Sequence, residues 1–423
     1  MVNTAWTAIK RVCVGPIALL VAAPPRRVAA LFVLFPVLAV AAPDSGVHGP
    51  AAEHQAHAKL SLATGVAFDK NGRLWRVSME EQYVIVRYSD DKGRHFSSPV
   101  RVNAAPERVA ADGENRPTVA FGTNGEIYVS WTQSLEQAYA GHIRFSRSRD
   151  GGRTFSAPVT VNDNRDSISH RFQAMTVDPR GNVHLVWLDR RDQSAAKARG
   201  ENYAGIAVYH AVSRDAGADF SANEKIADHS CECCRIALAL DTDGTPVIFW
   251  RHVFGDNIRD HALQRLDGKS SLMRVSRDDW VVDACPHHGP ALAIDETGVY
   301  HLAWFSGAAG RTGLYYSRTA DRGGHFSSPI KFGNSEAQAA HPQVLSLGQD
   351  VWLAWKEFDG RDAVVRSMRS ADGGRSWSAT ATIATASGAS DHPLLIANGA
   401  NIYLSWYTAK EGYRLIEIRK EKT

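Results

Sequence analysis

The sequence predicts an all-β fold built from repeated four-strand units, and three observations predict it. A motif of the form Ser/Thr-x-Asp-x-Gly-x-x-Phe/Trp occurs at Ser89 to Phe96, Ser148 to Phe155, Ser213 to Phe220, Thr319 to Phe326 and Ser370 to Trp377. Short apolar runs end in tryptophan at Trp131, Trp187, Trp250, Trp304, Trp355 and Trp406. Each run pairs with a neighbour across an Asn-Gly or Asp-Gly-like turn, the punctuation of an antiparallel hairpin.

The motif has a mechanical reading. Its Asp carboxylate is placed to accept backbone N–H groups two or three residues on. The Gly supplies a positive φ, and the aromatic plugs the turn onto a core. The flanks read as strands, as in Ile143 to Arg147 before the second copy and Ser156 to Val161 after it. A large aromatic recurring at one place in each unit fills the same gap each time, so the tryptophan column reads as packing between neighbours rather than as a ligand platform.

Five copies in register resemble the Asp-box, or BNR-repeat, proteins of the sialidase superfamily, over nearly all of the chain after residue 58. The resemblance implies a β-propeller of four-stranded blades, here spanning residues 58–423. Units open near Ala63, Arg116, Arg171, Cys234, Gly289, His341 and His392, which makes seven blades, with the six of sialidases as the alternative. Unit four is degenerate, because Ser276-Arg277-Asp278-Asp279-Trp280 lacks the glycine. Unit seven offers three strands, Pro393 to Ala397, Ile402 to Trp406 and Tyr413 to Ile418. Ala58 to Leu62 is placed to supply the fourth and close the ring, which would remove exposed sheet edges.

Residues 1–42 precede this body with two apolar runs, Val12 to Ala23 and Val28 to Ala42, separated by Arg26-Arg27. The second has a basic start, an apolar centre and the small-residue site Ala39-Val40-Ala41, the form of a signal peptide; an uncleaved anchor is the alternative. Export to the periplasm or beyond is expected, with any membrane association confined to this segment. Residues 43–57 read as a linker. The formal net charge of +3, without a basic stripe, excludes a nucleic-acid partner from the expectations.

In an up-and-down blade the residues before the first strand and those after the second share one face. That face collects Asn115-Arg116, His170-Arg171, Cys231-Glu232-Cys233-Cys234-Arg235, Cys285-Pro286-His287-His288, His341 and Asp391-His392 from the openings. The loops after the second strands add Asp189-Arg190-Arg191-Asp192, Arg251-His252 and Lys356-Glu357. Two chemistries follow. Cys231, Cys233, Cys234 and Cys285 open consecutive units, either as disulfides tying two blades together or as a soft-metal site completed by His287, His288 or His229, with His341 and His392 as further ligands nearer the axis, for which copper or zinc is the suitable ion. Resemblance to sialidases instead implies a glycoside hydrolase taking a small molecule or glycan at the channel. Arg116, Arg171 and Arg235 would hold a substrate carboxylate, and Asp192 would act as acid/base. Asn115-Arg116-Pro117 lacks the intervening residue of the family's Arg-x-Pro opening, and no tyrosine nucleophile is assigned by motif. The rival expectation is a non-catalytic propeller that binds metal or presents its face to a partner.

Overall fold

The computed structural model describes residues 62–418, and these form a seven-bladed all-β propeller with one short α-helix, α1 (Arg191–Ala198), and one 3-10 turn, Ser335–Ala337. The blades are antiparallel sheets whose strands follow chain order from the axis outward. Their inner strands are Gly65–Phe68, Thr118–Phe121, His170–Val177, Ala237–Leu240, Ala291–Ile294, Ala340–Leu347 and Leu394–Asn398. Each inner strand packs on the next, and the last returns to the first, so the ring is closed. Blade 2 carries an additional strand, Val109–Ala110, on its second strand. Blade 7 has three strands among the described residues; the expected closure by Ala58 to Leu62 falls mainly on residues 58–61, outside them, as do the expected signal segment at 1–42 and the expected linker at 43–57.

Burial explains the order. The second strands are sandwiched between neighbouring blades and buried almost throughout, as in Val183–Asp189 and Pro246–Arg251. The inner strands lie half-open along the channel. All six column tryptophans are among the largest fully buried side chains, consistent with their reading as packing. Five of the six indole N–H groups find an acceptor: Glu107, Asp189, Asp278, Glu357 and the Asp391 carbonyl. Trp250 Nε1 is buried with none.

The five repeated turns are built alike. At Ser148, Oγ donates to Asp150 Oδ1 at 2.8 Å and accepts from Gly152 N at 2.9 Å, while Asp150 Oδ1 accepts from Arg153 N and Thr154 N, each at 3.0 Å. The full set recurs at Ser213 and Ser370; at Ser89 and Thr319 the hydroxyl bonds recur and the Asp accepts from one backbone N–H, that of His95 or His325. Glycine is required twice over at Gly152: its φ is +81°, and an added Cβ would stand 2.6 Å from the Trp75 ring of the preceding blade. Gly152→Ala is therefore expected to lower unfolding stability by about 1–3 kcal/mol. Urea denaturation measures it, and a midpoint unchanged from wild type would contradict the packing described.

Blade 4 departs from the sequence reading. Its outer hairpin turns at Asp267-Gly268, where Asp267 Oδ1 accepts from Lys269 N at 3.0 Å and Ser270 N at 2.7 Å. The stretch Ser276 to Trp280 lies beyond the outer strand Met273–Arg274 and is no turn of this kind. There Asp278 serves blade 5 instead, accepting from Trp304 Nε1 at 2.9 Å and Arg311 Nε at 2.8 Å.

Candidate functional site

The blade openings converge on the channel mouth, as the face assignment requires. A cavity of about 660 Å³ is lined there by residues of blades 1, 2, 5, 6 and 7, among them Glu114, His288, His341, Lys356, Asp391 and His392. Cys285 and His287 stand on its wall as well.

Glu114 organises the floor, although it is only 6% exposed. Its Oε1 accepts from Arg235 Nη1 at 2.8 Å and His341 Nδ1 at 3.0 Å, with His392 Nδ1 3.4 Å away. Its Oε2 accepts from Gly289 N at 2.9 Å and Arg235 N at 3.2 Å. Burial alone would raise the pKa of this carboxyl, but Arg235 and the two imidazoles hold it well below the usual range. One carboxylate thus ties together the openings of blades 2, 4, 5, 6 and 7.

The histidines take their orientation from it. The His341 and His392 rings stack with centroids 3.4 Å apart, and His288 lies 5.0 Å from His341. Both Nδ1 atoms are turned to Glu114, and both residues line the cavity. Burial, and then the charge of the neighbouring imidazole, pushes His341 down to about 3; burial against the pull of Glu114 pushes His392 down to about 4. Both are neutral bases near pH 7. Lys356 adds a cation at the wall: its Nζ donates to the Ser390 carbonyl at 3.1 Å, and burial lowers its pKa.

The expected catalytic set is spread out. Arg116 forms a bidentate pair with Asp391, at 2.9 and 3.2 Å. Arg171 faces Asp112 at 3.6 Å, and Arg235 is held by Glu114. Each of the three arginines expected to grip a substrate carboxylate already has one from the protein, and none lines the cavity. Asp192 lies on α1, outside the cavity lining, where it accepts from Tyr209 Oη at 2.9 Å and Lys225 Nζ at 3.2 Å.

The expected metal ligands fall into two groups. His341 and His392 join Glu114, a residue the sequence reading passed over although it stands two positions before Arg116. Cys231, Cys233 and Cys234 gather in a buried cluster, with Cys231 Sγ 3.9 and 3.8 Å from the other two sulfurs. Cys285 is exposed and lies outside this cluster, on the side of Cys233. All four cysteines are free thiols. His287 and His288 belong to the cavity wall and not to the thiol cluster.

No protein-family model and no curated protein matches the chain. Solved structures do. A PL25 ulvan lyase bound to -[GlcA(1-4)Rha3S]- superposes with a TM-score of 0.54 at 11% identity, covering 85% of this chain and 95% of its own. The polysaccharide lyase Uly1 gives 0.52 at 12% identity, covering 84% and 88%. The Hadza microbial sialidase Hz136 gives 0.47 at 15% identity, covering 80% and 74%. The likeness to the two lyases is one of fold alone.

Proposed function

We propose that this propeller is a carbohydrate-active protein that cleaves an acidic polysaccharide by β-elimination at the channel mouth. The observation that carries the reading is the pair of neutral imidazoles, His341 and His392, oriented by Glu114 beside Lys356. Elimination from a uronate needs a base for the proton next to the carboxylate and a cation facing that carboxylate. Nε2 of His341 or His392 takes the C5 proton, the C4–O bond breaks, and the departing oxygen is protonated by water. Lys356 faces the carboxylate whose charge grows as the proton leaves.

Hydrolysis by two carboxyl groups fits less well. The four carboxylates of the lining are engaged by the protein: Asp112 by Glu114 N and Asn115 N, Glu114 as described, Glu357 by Trp355 and Arg366, and Asp391 by Arg116. That leaves no free acid and base flanking a bond. The lyase bound to a glucuronate-containing chain suggests the substrate class. Export belongs to the same reading, since a polymer of that kind is met outside the cell.

The test is ultraviolet absorbance of the new carbon–carbon double bond on incubation with glucuronate-containing polysaccharides. His341→Gln or His392→Gln should lower turnover by about 10²–10⁴-fold, the usual contribution of a general base. Release of sialic acid from a sialoside, lost in Asp192→Asn, would replace this reading with the exo-sialidase one. No cleavage of any uronate polymer would end it.

A further inference from the structure

The thiol cluster is not used by the cavity chemistry, and its surroundings are those of a metal centre. We propose that Cys231, Cys233, Cys234 and Cys285 form a four-thiolate site for a divalent thiophilic ion, zinc, that pins the opening of blade 4 to the opening of blade 5. This does not depend on what the cavity binds.

Three features support it. The first is spacing. The sulfur separations of 3.8 and 3.9 Å from Cys231 are far beyond the roughly 2.05 Å of a disulfide. A tetrahedron with metal–sulfur bonds of about 2.3 Å has edges of about 3.8 Å. Cys231, Cys233 and Cys234 thus supply one triangular face; Cys285, exposed on the 281–286 loop on the side of Cys233, stands outside that group and is the thiol that would move in as the fourth donor.

The second feature is charge. Arg251 is 1% exposed and Arg259 9%, and both lie beside Cys231. Neither has a carboxylate partner among the described residues. Arg251 donates to the carbonyls of Arg259, His288 and Phe305, while Arg259 donates to Asn257 Oδ1 and, at 3.4 Å, to Cys231 Sγ. Two buried guanidiniums without counter-ions are costly unless an anion is close. A divalent ion in four thiolates carries two negative charges and matches them. The other arginines nearby are already balanced, Arg171 by Asp112 and Arg190 by Glu232.

The third feature is the wall. Phe172, Ile236 and Trp250 share a buried cluster with Cys231, Cys233 and Cys234. Trp250, alone in its column, keeps an indole N–H without an acceptor. Apolar walls with N–H donors are the surroundings that hold metal-bound thiolates.

Reduced full-length protein, stripped with a chelator and titrated with Zn(II) against a chromophoric competitor, should take up one ion, more weakly as pH falls because the thiols must release protons. Co(II) in its place should show thiolate-to-metal charge transfer and the strong d–d bands of a tetrahedral ion. Cys233→Ser should abolish both. Cys285→Ser, at an exposed position, should lose the four-sulfur spectrum. Arg259→Met should weaken zinc by about 10–100-fold, as loss of an outer partner does. The proposal is overturned by no zinc uptake, by uptake that survives Cys233→Ser and Cys285→Ser or is lost instead in His341→Gln, by Cu(I) binding without Zn(II), or by native protein whose cysteines are paired in disulfides.

Discussion

Glu114→Ala is expected to cost about 3–5 kcal/mol of unfolding stability, the penalty for stranding the partner of a buried ion pair. The side chain accepts from Arg235 through both oxygens, from Gly289 N and from His341, with His392 alongside. Truncation leaves the Arg235 guanidinium with the Pro342 carbonyl at 2.8 Å as its remaining hydrogen bond and no opposing charge. Gly289 N loses its acceptor as well, which adds to the loss. For a domain whose total stability is about 5–15 kcal/mol, such a change is a large fraction. Because the donors come from the openings of blades 4, 5, 6 and 7, the loss should appear as a loosened channel mouth as well as a lower urea midpoint. Glu114→Gln keeps the size and loses the charge, so it should fall between. Replacing both partners, as in Glu114→Gln with Arg235→Met, should recover part of the stability by removing the stranded cation. A Glu114→Ala midpoint within about 1 kcal/mol of wild type would show that the carboxylate does not hold the openings together.

This residue also marks where sequence reading runs out. The repeated turns were legible because each is local, a hydroxyl, a carboxylate and a glycine within a few residues of one another. The blade openings follow from them, and the observed inner strands begin within three residues of the positions read from the repeats. The outer turn of blade 4 is hidden because Asp267-Gly268 has Arg265 where the motif has Ser or Thr, while Ser276 imitates the missing hydroxyl in the wrong place. α1 is not part of the repeat pattern, in which Asp189 to Asp192 reads as a loop, though the run that follows is rich in helix-favouring Ala, Gln and Lys. Glu114 is different in kind. Its partners stand 121, 175 and 227 residues away, and only ring closure brings them to one point. The arginines show the same effect. Their positions at the openings of blades 2, 3 and 4 were readable, but Asp391, Asp112 and Glu114 as their partners were not, and those partners decide whether the arginines face a ligand.

Stability should fall steeply as pH drops from about 6.5 towards 4, before most carboxylates titrate, because the fold keeps several histidines neutral. Burial, with the neighbouring His170 second, pushes His142 down to about 4. Burial, with His184 second, pushes His210 down to about 3. His341 and His392 sit at about 3 and 4 for the reasons given above. In the unfolded chain each titrates near its ordinary value of about 6.5. Above that pH both states are neutral at these sites, and the full stability is present. Below it the unfolded state takes up protons that the native state refuses until its own lower pKa, so stability is lost with falling pH. Each such proton contributes about 1.4 kcal/mol per pH unit, and four acting together give a slope of up to about 5 kcal/mol per unit near pH 5. Surroundings of opposite sign moderate it: Glu114 faces His341 and His392, and Glu224 stands 4.0 Å from His210. A slope of about 2–5 kcal/mol per unit is therefore expected. Urea midpoints measured from pH 8 to pH 4.5 test the sum, and His210→Gln isolates one term. That variant should flatten the curve by up to about one proton's share, since glutamine does not titrate in either state. A curve with no slope between pH 6.5 and 5, or one that His210→Gln leaves unchanged, would mean that these imidazoles accept protons in the folded ring.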